Sequence, residues 1–273
     1  MHPLLNIAVR AARRAGEVIV RSLERLDSLQ VTAKGRNDFV SDVDRIAERE
    51  IIDIIHKHYP AHAILAEESG ASGESETVWI IDPLDGTTNF LHGFPQFAVS
   101  IAVQHRGQLE CAAIYDPMRL EIFTAERGGG ARLENRRIRV SKQRGLEGAL
   151  LATGFPYRSD EAATERYLDM FRSFMTTTAG IRRPGAASLD LAYVAAGRVD
   201  GFWELGLKPW DTAAGTLMIL EAGGRVGTLA GAGYELGPDI VAGTPRVYEA
   251  MLAAIAPHLP PEHRGDVEAV GAS

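Results

Sequence analysis

The stretch Val78-Trp79-Ile80-Ile81-Asp82-Pro83-Leu84-Asp85-Gly86-Thr87-Thr88-Asn89-Phe90 decides the reading of this chain. An apolar run ends in two acids three residues apart, followed by a glycine and two threonines. The run predicts a buried strand that Pro83 stops, because proline has no N–H to give to a ladder. Gly86 and its threonines predict a helix start whose backbone N–H groups accept an anion. Carboxylates beside such a start suit a cation paired with a phosphate. Asp-Pro and Asp-Gly are also common turn dipeptides, and Asp85 is equally suited to cap the next helix.

Two other segments add oxygen ligands. Ala63-Ile64-Leu65-Ala66 reads as a short strand running into Glu67-Glu68-Ser69-Gly70, which fixes a carboxylate at the strand end. Far downstream, Trp210-Asp211-Thr212-Ala213-Ala214-Gly215 opens a helical pattern continuing through Leu217, Ile219 and Leu220, with Asp211 near its start. Each acid alone fits a cap or a solvated surface group as well. Together, Glu67, Asp82, Asp85 and Asp211 form a candidate cluster of hard oxygen ligands. With no Cys/His cluster beside them, this set favours Mg²⁺ over Zn²⁺.

The 273 residues, 45% of them apolar, are enough to bury a large core. A net charge of −7 leaves no basic footprint for nucleic acid or an anionic membrane, so a phosphate ester would be drawn by bound cations. The single cysteine, Cys111, lies in an alternating apolar stretch and reads as a packed small hydrophobe. Near the N-terminus, Leu4, Leu5, Ile7, Ala8, Ala11, Ala15, Val18 and Ile19 recur at helical spacing among arginines and Glu17. That is an amphipathic helix rather than a signal peptide or a membrane span, and a cytoplasmic protein is expected.

Helices are expected near 3–25, from Ser41 or Asp42 to Pro60, and near 161–179, 188–196, 210–222 and 245–256. A polar turn is expected around Lys34-Gly35-Arg36-Asn37-Asp38. Strands are expected near 63–67 and 78–82, then as an antiparallel meander through 97–103, 109–115 and 120–125. Gly128-Gly129-Gly130 reads as a turn between strands. Short strands near 150–153, 199–203 and 240–242 alternate with the later helices. A single domain over 1–258 is expected, built of two packed α/β halves, about 1–147 and 148–258, with 259–273 a flexible tail.

The three motifs, in this order, resemble the inositol monophosphatase family. The segment Ile181-Arg182-Arg183-Pro184-Gly185-Ala186-Ala187-Ser188-Leu189-Asp190-Leu191-Ala192-Tyr193, continuing through Gly197 to Glu204, resembles its bacterial SuhB-type branch. The likeness runs from the first helix to Ile255. It implies an α/β fold, the layered αβαβα sandwich shared with fructose-1,6-bisphosphatases. It also implies Mg²⁺-dependent hydrolysis of inositol-1-phosphate by metal-activated water, sensitive to Li⁺. Histidinol phosphate, fructose-1,6-bisphosphate and 3′-phosphoadenosine 5′-phosphate are the alternative substrates within the enzyme class.

Such hydrolysis is among the slowest uncatalysed reactions, and two cations about 4 Å apart can clamp the attacking and leaving oxygens. By resemblance, Glu67, Asp82 and the carbonyl of Leu84 hold a first ion. Asp82 bridges to a second ion held by Asp85 and Asp211, and a third, weaker ion sits near Glu67. Thr87, hydrogen-bonded to Asp44, handles the proton of the attacking water. The N–H groups of Gly86 and Thr87 receive the phosphate. Asp85, Ala187 through its N–H, Glu204 and Asp211 meet the polyol. Read from the residues alone, Asp44 is equally an exposed helix-face acid beside Glu48 and Asp53, and Glu204 equally a solvated strand-end acid. Lys34 lies in the loop before Asp38, where the family's loop runs one residue longer. A homodimer is expected, and the SuhB-type branch also implies a binding role in transcription antitermination, contacting RNA polymerase and Nus factors; Arg182 and Arg183 suit such a contact, and equally a dimer interface or a structural pairing.

Overall fold

The computed structural model describes residues 2–28, 31–35, 38–156 and 161–260. Helix α1 (Pro3–Ser22) passes through a 3-10 turn (Leu23–Ser28) to strands β1 (Val31–Gly35) and β2 (Asp38–Ser41), then to α2 (Asp42–His58). Strands β3 (Ala63–Ala66), β4 (Gly70–Ser72) and β5 (Thr77–Asp85) lead to the short α3 (Thr87–Leu91). Next come β6 (Ala98–His105), β7 (Gln108–Asp116), β8 (Glu121–Glu126), β9 (Gly130–Leu133) and β10 (Arg136–Arg137). The remainder is β11 (Leu150–Thr153), α4 (Glu161–Met175), β12 (Gly180–Arg182), α5 (Ala187–Ala195), β13 (Gly201–Glu204), α6 (Pro209–Glu221), β14 (Arg225–Gly227), β15 (Ile240–Gly243) and α7 (Pro245–Ile255).

Among the described residues the first half forms an eight-stranded sheet ordered β10-β9-β8-β7-β6-β5-β3-β4, and the second a five-stranded sheet ordered β12-β11-β13-β15-β14. The meander from β5 to β9 is antiparallel throughout. Side chains alternate across it with period two. On one face Trp79, Ile81, Val99, Ile101, Val103, Cys111 and Ala113 pack with Leu5, Ala8, Ala12 and Ala15 of α1 and with Ile51 and Ile55 of α2. On the other face Ile80, Ala98, Ala102, Ala112 and Ile114 meet Leu189, Leu191 and Ala192 of α5 and Leu217 and Met218 of α6. The same two helices cover Phe202 and Ala242 of the second sheet. Its outer face, through Leu151, Trp203 and Val241, packs on Tyr167 and Phe174 of α4 and Val247 and Met251 of α7. Five layers result, in the order αβαβα. Helices α5 and α6 are buried on nearly all sides, and that explains their lack of a polar stripe.

Three local expectations change. Pro83 does not end β5, which runs on to Asp85 across a register shift. Of the residues expected to form a polar turn at 34–38, Lys34 and Gly35 belong to β1 and Asp38 to the antiparallel β2. Lys34 falls on β1, with its side chain and residues 36–37 outside the described residues. The first helix gives way to the 3-10 turn after Ser22. The expected tail falls mostly on 261–273, outside the described residues, whereas Leu259 is buried against α4 and α7.

Helix α1 comes closest to Tyr115 of β7 at Gly16. A Cβ on Gly16 would run into the ring of Tyr115, which also carries the Arg13 guanidinium 5.3 Å from its centroid. Gly16→Val is expected to lower stability by about 1–3 kcal/mol in urea denaturation through overpacking, outweighing any gain in helix propensity. Burial pushes the Cys111 thiol up to about 12, helped by Glu126 and Glu110. At pH 8 the native protein should therefore leave a thiol reagent unreacted, and urea should release one equivalent per chain.

Candidate active site

The pairing of β5 with β6 sets Asp82 opposite Ser100 and Asp85 opposite Ala98. Three steps along β5 therefore match two along β6, so β5 carries one extra residue, a bulge. Ala98 and Ser100 point to the same face, and Asp82 and Asp85 share it, although residues three apart in a regular strand point to opposite faces. Pro83 sits inside the bulge, where a missing N–H is tolerated. The shared face looks toward α6. There the Ser100 hydroxyl donates to the carbonyl of Trp210 at 3.3 Å, which pins the start of α6 and brings Asp211 alongside. Glu67 follows β3 directly, and its N–H donates to the Ile81 carbonyl at 3.1 Å, so it stands next to Asp82.

The four acids thus reach one place from β3, β5 and α6. Burial raises the Asp82 carboxyl well above the usual range, and the charges of Glu67, Asp85 and Asp211 push it further. Burial lifts Asp85 to about 6, against the hydrogen bonds it receives from Ser188 and the Ala187 N–H. A divalent cation would reverse both shifts. Among the described residues no three His, Cys, Asp or Glu side chains stand in ligand geometry. Instead Asp82 accepts from the Leu84 N–H at 3.0 Å, Asp85 from the N–H and hydroxyl of Ser188 at 2.7 and 2.5 Å, and Asp211 from the Lys208 N–H at 2.6 Å. The donor set nevertheless suits Mg²⁺: clustered carboxylates with the Leu84 carbonyl nearby and no soft ligand among them.

Thr87 opens α3, after Gly86 turns the chain at φ +93°. A Cβ on Gly86 would come within 2.9 Å of the Gln96 carbonyl oxygen, so the turn needs glycine twice over. The Thr87 hydroxyl lies 2.9 Å from Asp44 Oδ1 and 3.1 Å from the Leu84 carbonyl. Asp44 is fully buried, and its Oδ2 accepts from the N–H and hydroxyl of Ser41 at 2.8 and 2.6 Å. Burial raises its carboxyl despite these bonds. The exposed-acid alternative for Asp44 is therefore set aside. One turn further along α2, Glu48 is 3% exposed and accepts from the N–H groups of Glu68 and Ser69 at 2.8 and 2.9 Å. It anchors the turn that carries Glu67. The sequence reading left Glu48 on the surface, yet Asp44, Glu48, Ile51 and Ile55 form one helical stripe, which is the signal it carried.

Glu67, Asp82, Asp85, Gly86, Thr87 and Asp211 line an open cleft of about 540 Å³ together with Thr153, Phe155, Arg183, Ala187, Asp190 and Glu204. Glu204 ends β13 and lies over Gly154 so closely that any Cβ there would strike its carboxylate. Arg183 stacks its guanidinium 5.0 Å from the centroid of Phe155. Arg182 is exposed, so the two arginines face different surroundings. Ser188, Asp190 and Phe155 received no part from the sequence. Asn89 ties the cleft's two sides, donating to the carbonyls of Gln96 at 2.7 Å and Pro184 at 2.9 Å.

Five layers thus close on an acid-lined cleft. A model of the inositol monophosphatase family matches residues 1–260. The Nus factor SuhB of Pseudomonas aeruginosa is 57% identical over 267 residues, covering 96% of this chain and 98% of that protein. The crystal structure of the extragenic suppressor protein SuhB from Bartonella henselae superposes with a TM-score of 0.90 at 46% identity, covering 93% of this chain and 98% of the other. An inositol monophosphatase from Anabaena superposes at 0.80 with 37% identity, covering 94% and 96%. The chain belongs to the inositol monophosphatase family. No helix among the described residues is long and apolar enough to cross a membrane.

Glu48→Gln should leave the fold intact while loosening the Glu67 turn. Amide hydrogen exchange at Glu68 and Ser69 is expected to quicken by about tenfold or more, with little change in the core strands.

Proposed function

We propose that the protein is a Mg²⁺-dependent phosphomonoesterase that hydrolyses inositol-1-phosphate to inositol and phosphate. The observation that carries this reading is the bulge that turns Asp82 and Asp85 to one face, toward Asp211 and beside Glu67. Glu67, Asp82 and the Leu84 carbonyl would hold one ion, and Asp82, Asp85 and Asp211 a second, with a third and weaker one near Glu67. Bound Mg²⁺ supplies positive charge against the phosphate oxygens and lets water attack at neutral pH.

The chain's own residues do the rest. Thr87 Oγ1 takes the proton of the attacking water while its own proton moves toward Asp44 Oδ1, 2.9 Å away. The buried bonds from Ser41 keep Asp44 oriented for that role. The N–H groups of Gly86 and Thr87 receive phosphate oxygens. Asp85 and Glu204 face the polyol, with Ser188 and the Ala187 N–H fixing the Asp85 carboxylate.

A second role is supported by the relatives, several of which bear the name Nus factor SuhB. We infer that this chain also binds the transcription machinery, with exposed Arg182 in the contact. The intact carboxylate set argues that such binding accompanies catalysis rather than replacing it.

Phosphate release from inositol-1-phosphate, histidinol phosphate and fructose-1,6-bisphosphate should peak on the first and require Mg²⁺. Asp82→Asn should cut it by at least about a hundredfold. No release from any ester would overturn the catalytic reading. Retention of RNA polymerase by tagged Asp82→Asn protein, in the absence of turnover, would support the second role.

A further inference from the structure

Of the acids lining the cleft, Asp190 alone has no part so far. It lies in the first turn of α5 and is 1% exposed. Its Oδ1 is buried and has no hydrogen-bond partner among the described residues. An acid in a first helical turn can serve the helix dipole, but a solvated carboxylate does that without the cost of an orphaned oxygen. The charged groups that act on Asp190 are Glu204, Asp85 and Arg183, and all three also line the cleft. Burial and the two neighbouring acids raise its carboxyl well above the usual range, with Arg183 opposing them.

A buried acceptor on the wall of a cleft, next to a second acid from another element, lacks only a donor. We propose that Asp190 is a specificity-determining residue that works with Glu204, each receiving one of two adjacent hydroxyls on the leaving group of the substrate. This rests on the phosphomonoesterase reading above and names the part of the ester it selects. A polyol hydroxyl donating to Oδ1 satisfies the orphaned oxygen, whereas an ester without hydroxyls leaves it bare. A site built to accept hydrogen bonds discriminates strongly against ligands that lack the donor.

The test compares inositol-1-phosphate with p-nitrophenyl phosphate, which has no hydroxyl beside its ester, in wild type, Asp190→Ala and Asp190→Asn, with thermal melts of each. In Asp190→Ala the ratio of kcat/KM for the polyol ester to that for the aryl ester should fall about tenfold, through KM rather than kcat. Asp190→Asn, which keeps an acceptor at Oδ1, should recover most of the ratio. If the alanine variant does not fold, Asp190→Ser carries the same expectation. An unchanged ratio, or equal losses on both esters with a lowered melting temperature, would overturn the inference and leave a structural acid. If wild type ignores inositol-1-phosphate, the substrate reading and this inference fall together. If wild type hydrolyses it and the ratio stays fixed, the inference alone falls.

Discussion

Pro83 cannot donate to β6, and β5 meets this with one extra residue between Asp82 and Asp85. The wall of the cleft that carries Asp82, Asp85 and Thr87 depends on that irregularity. Without it the two carboxylates would point to opposite faces, one toward α1 and α2, the other toward α6. The same bulge brings the chain to the sharp turn at Gly86, from which Thr87 reaches back to Asp44. A local fault in a hydrogen-bond ladder therefore sets the position of acids, hydroxyl and turn together.

Gathering these carboxylates opposes stability, since burial and like charge both disfavour the ionised forms. The surrounding chain offsets part of the cost with neutral donors: the Leu84 N–H for Asp82, Ser188 for Asp85, the Lys208 N–H for Asp211 and Ser41 for Asp44. Those donors come from both halves of the molecule. Ser188 belongs to α5 and Asp85 to β5, while Asn89 donates to the Pro184 carbonyl. The cleft is consequently a seam between the two sheets, and its polar bonds hold the layers in register as much as they shape the site.

The layer order and most elements were legible because they rest on long periodic segments. The meander from β6 to β8 alternates over six residues or more, and α1, α2 and α7 carry clear apolar stripes. Strands such as β4, β10, β12 and β14 have three residues or fewer, too short for any period to register. The four clustered acids were nameable, but the reason they meet was not. Pro83 read as a stop, and a bulge has no period of its own. Glu48 and Asp190 were passed over because acids on helices are usually solvated. For Glu48 the stripe with Ile51 and Ile55 held the contrary signal, and for Asp190 the mostly apolar helix around it did.

The inserted residue also limits how this segment can change over evolutionary time. Removing or adding a single residue would rotate Asp85 out of the cleft and slide Gly86 off its turn in one step. The geometry of the bulge therefore fixes the length of this segment as firmly as it fixes the identity of its two acids.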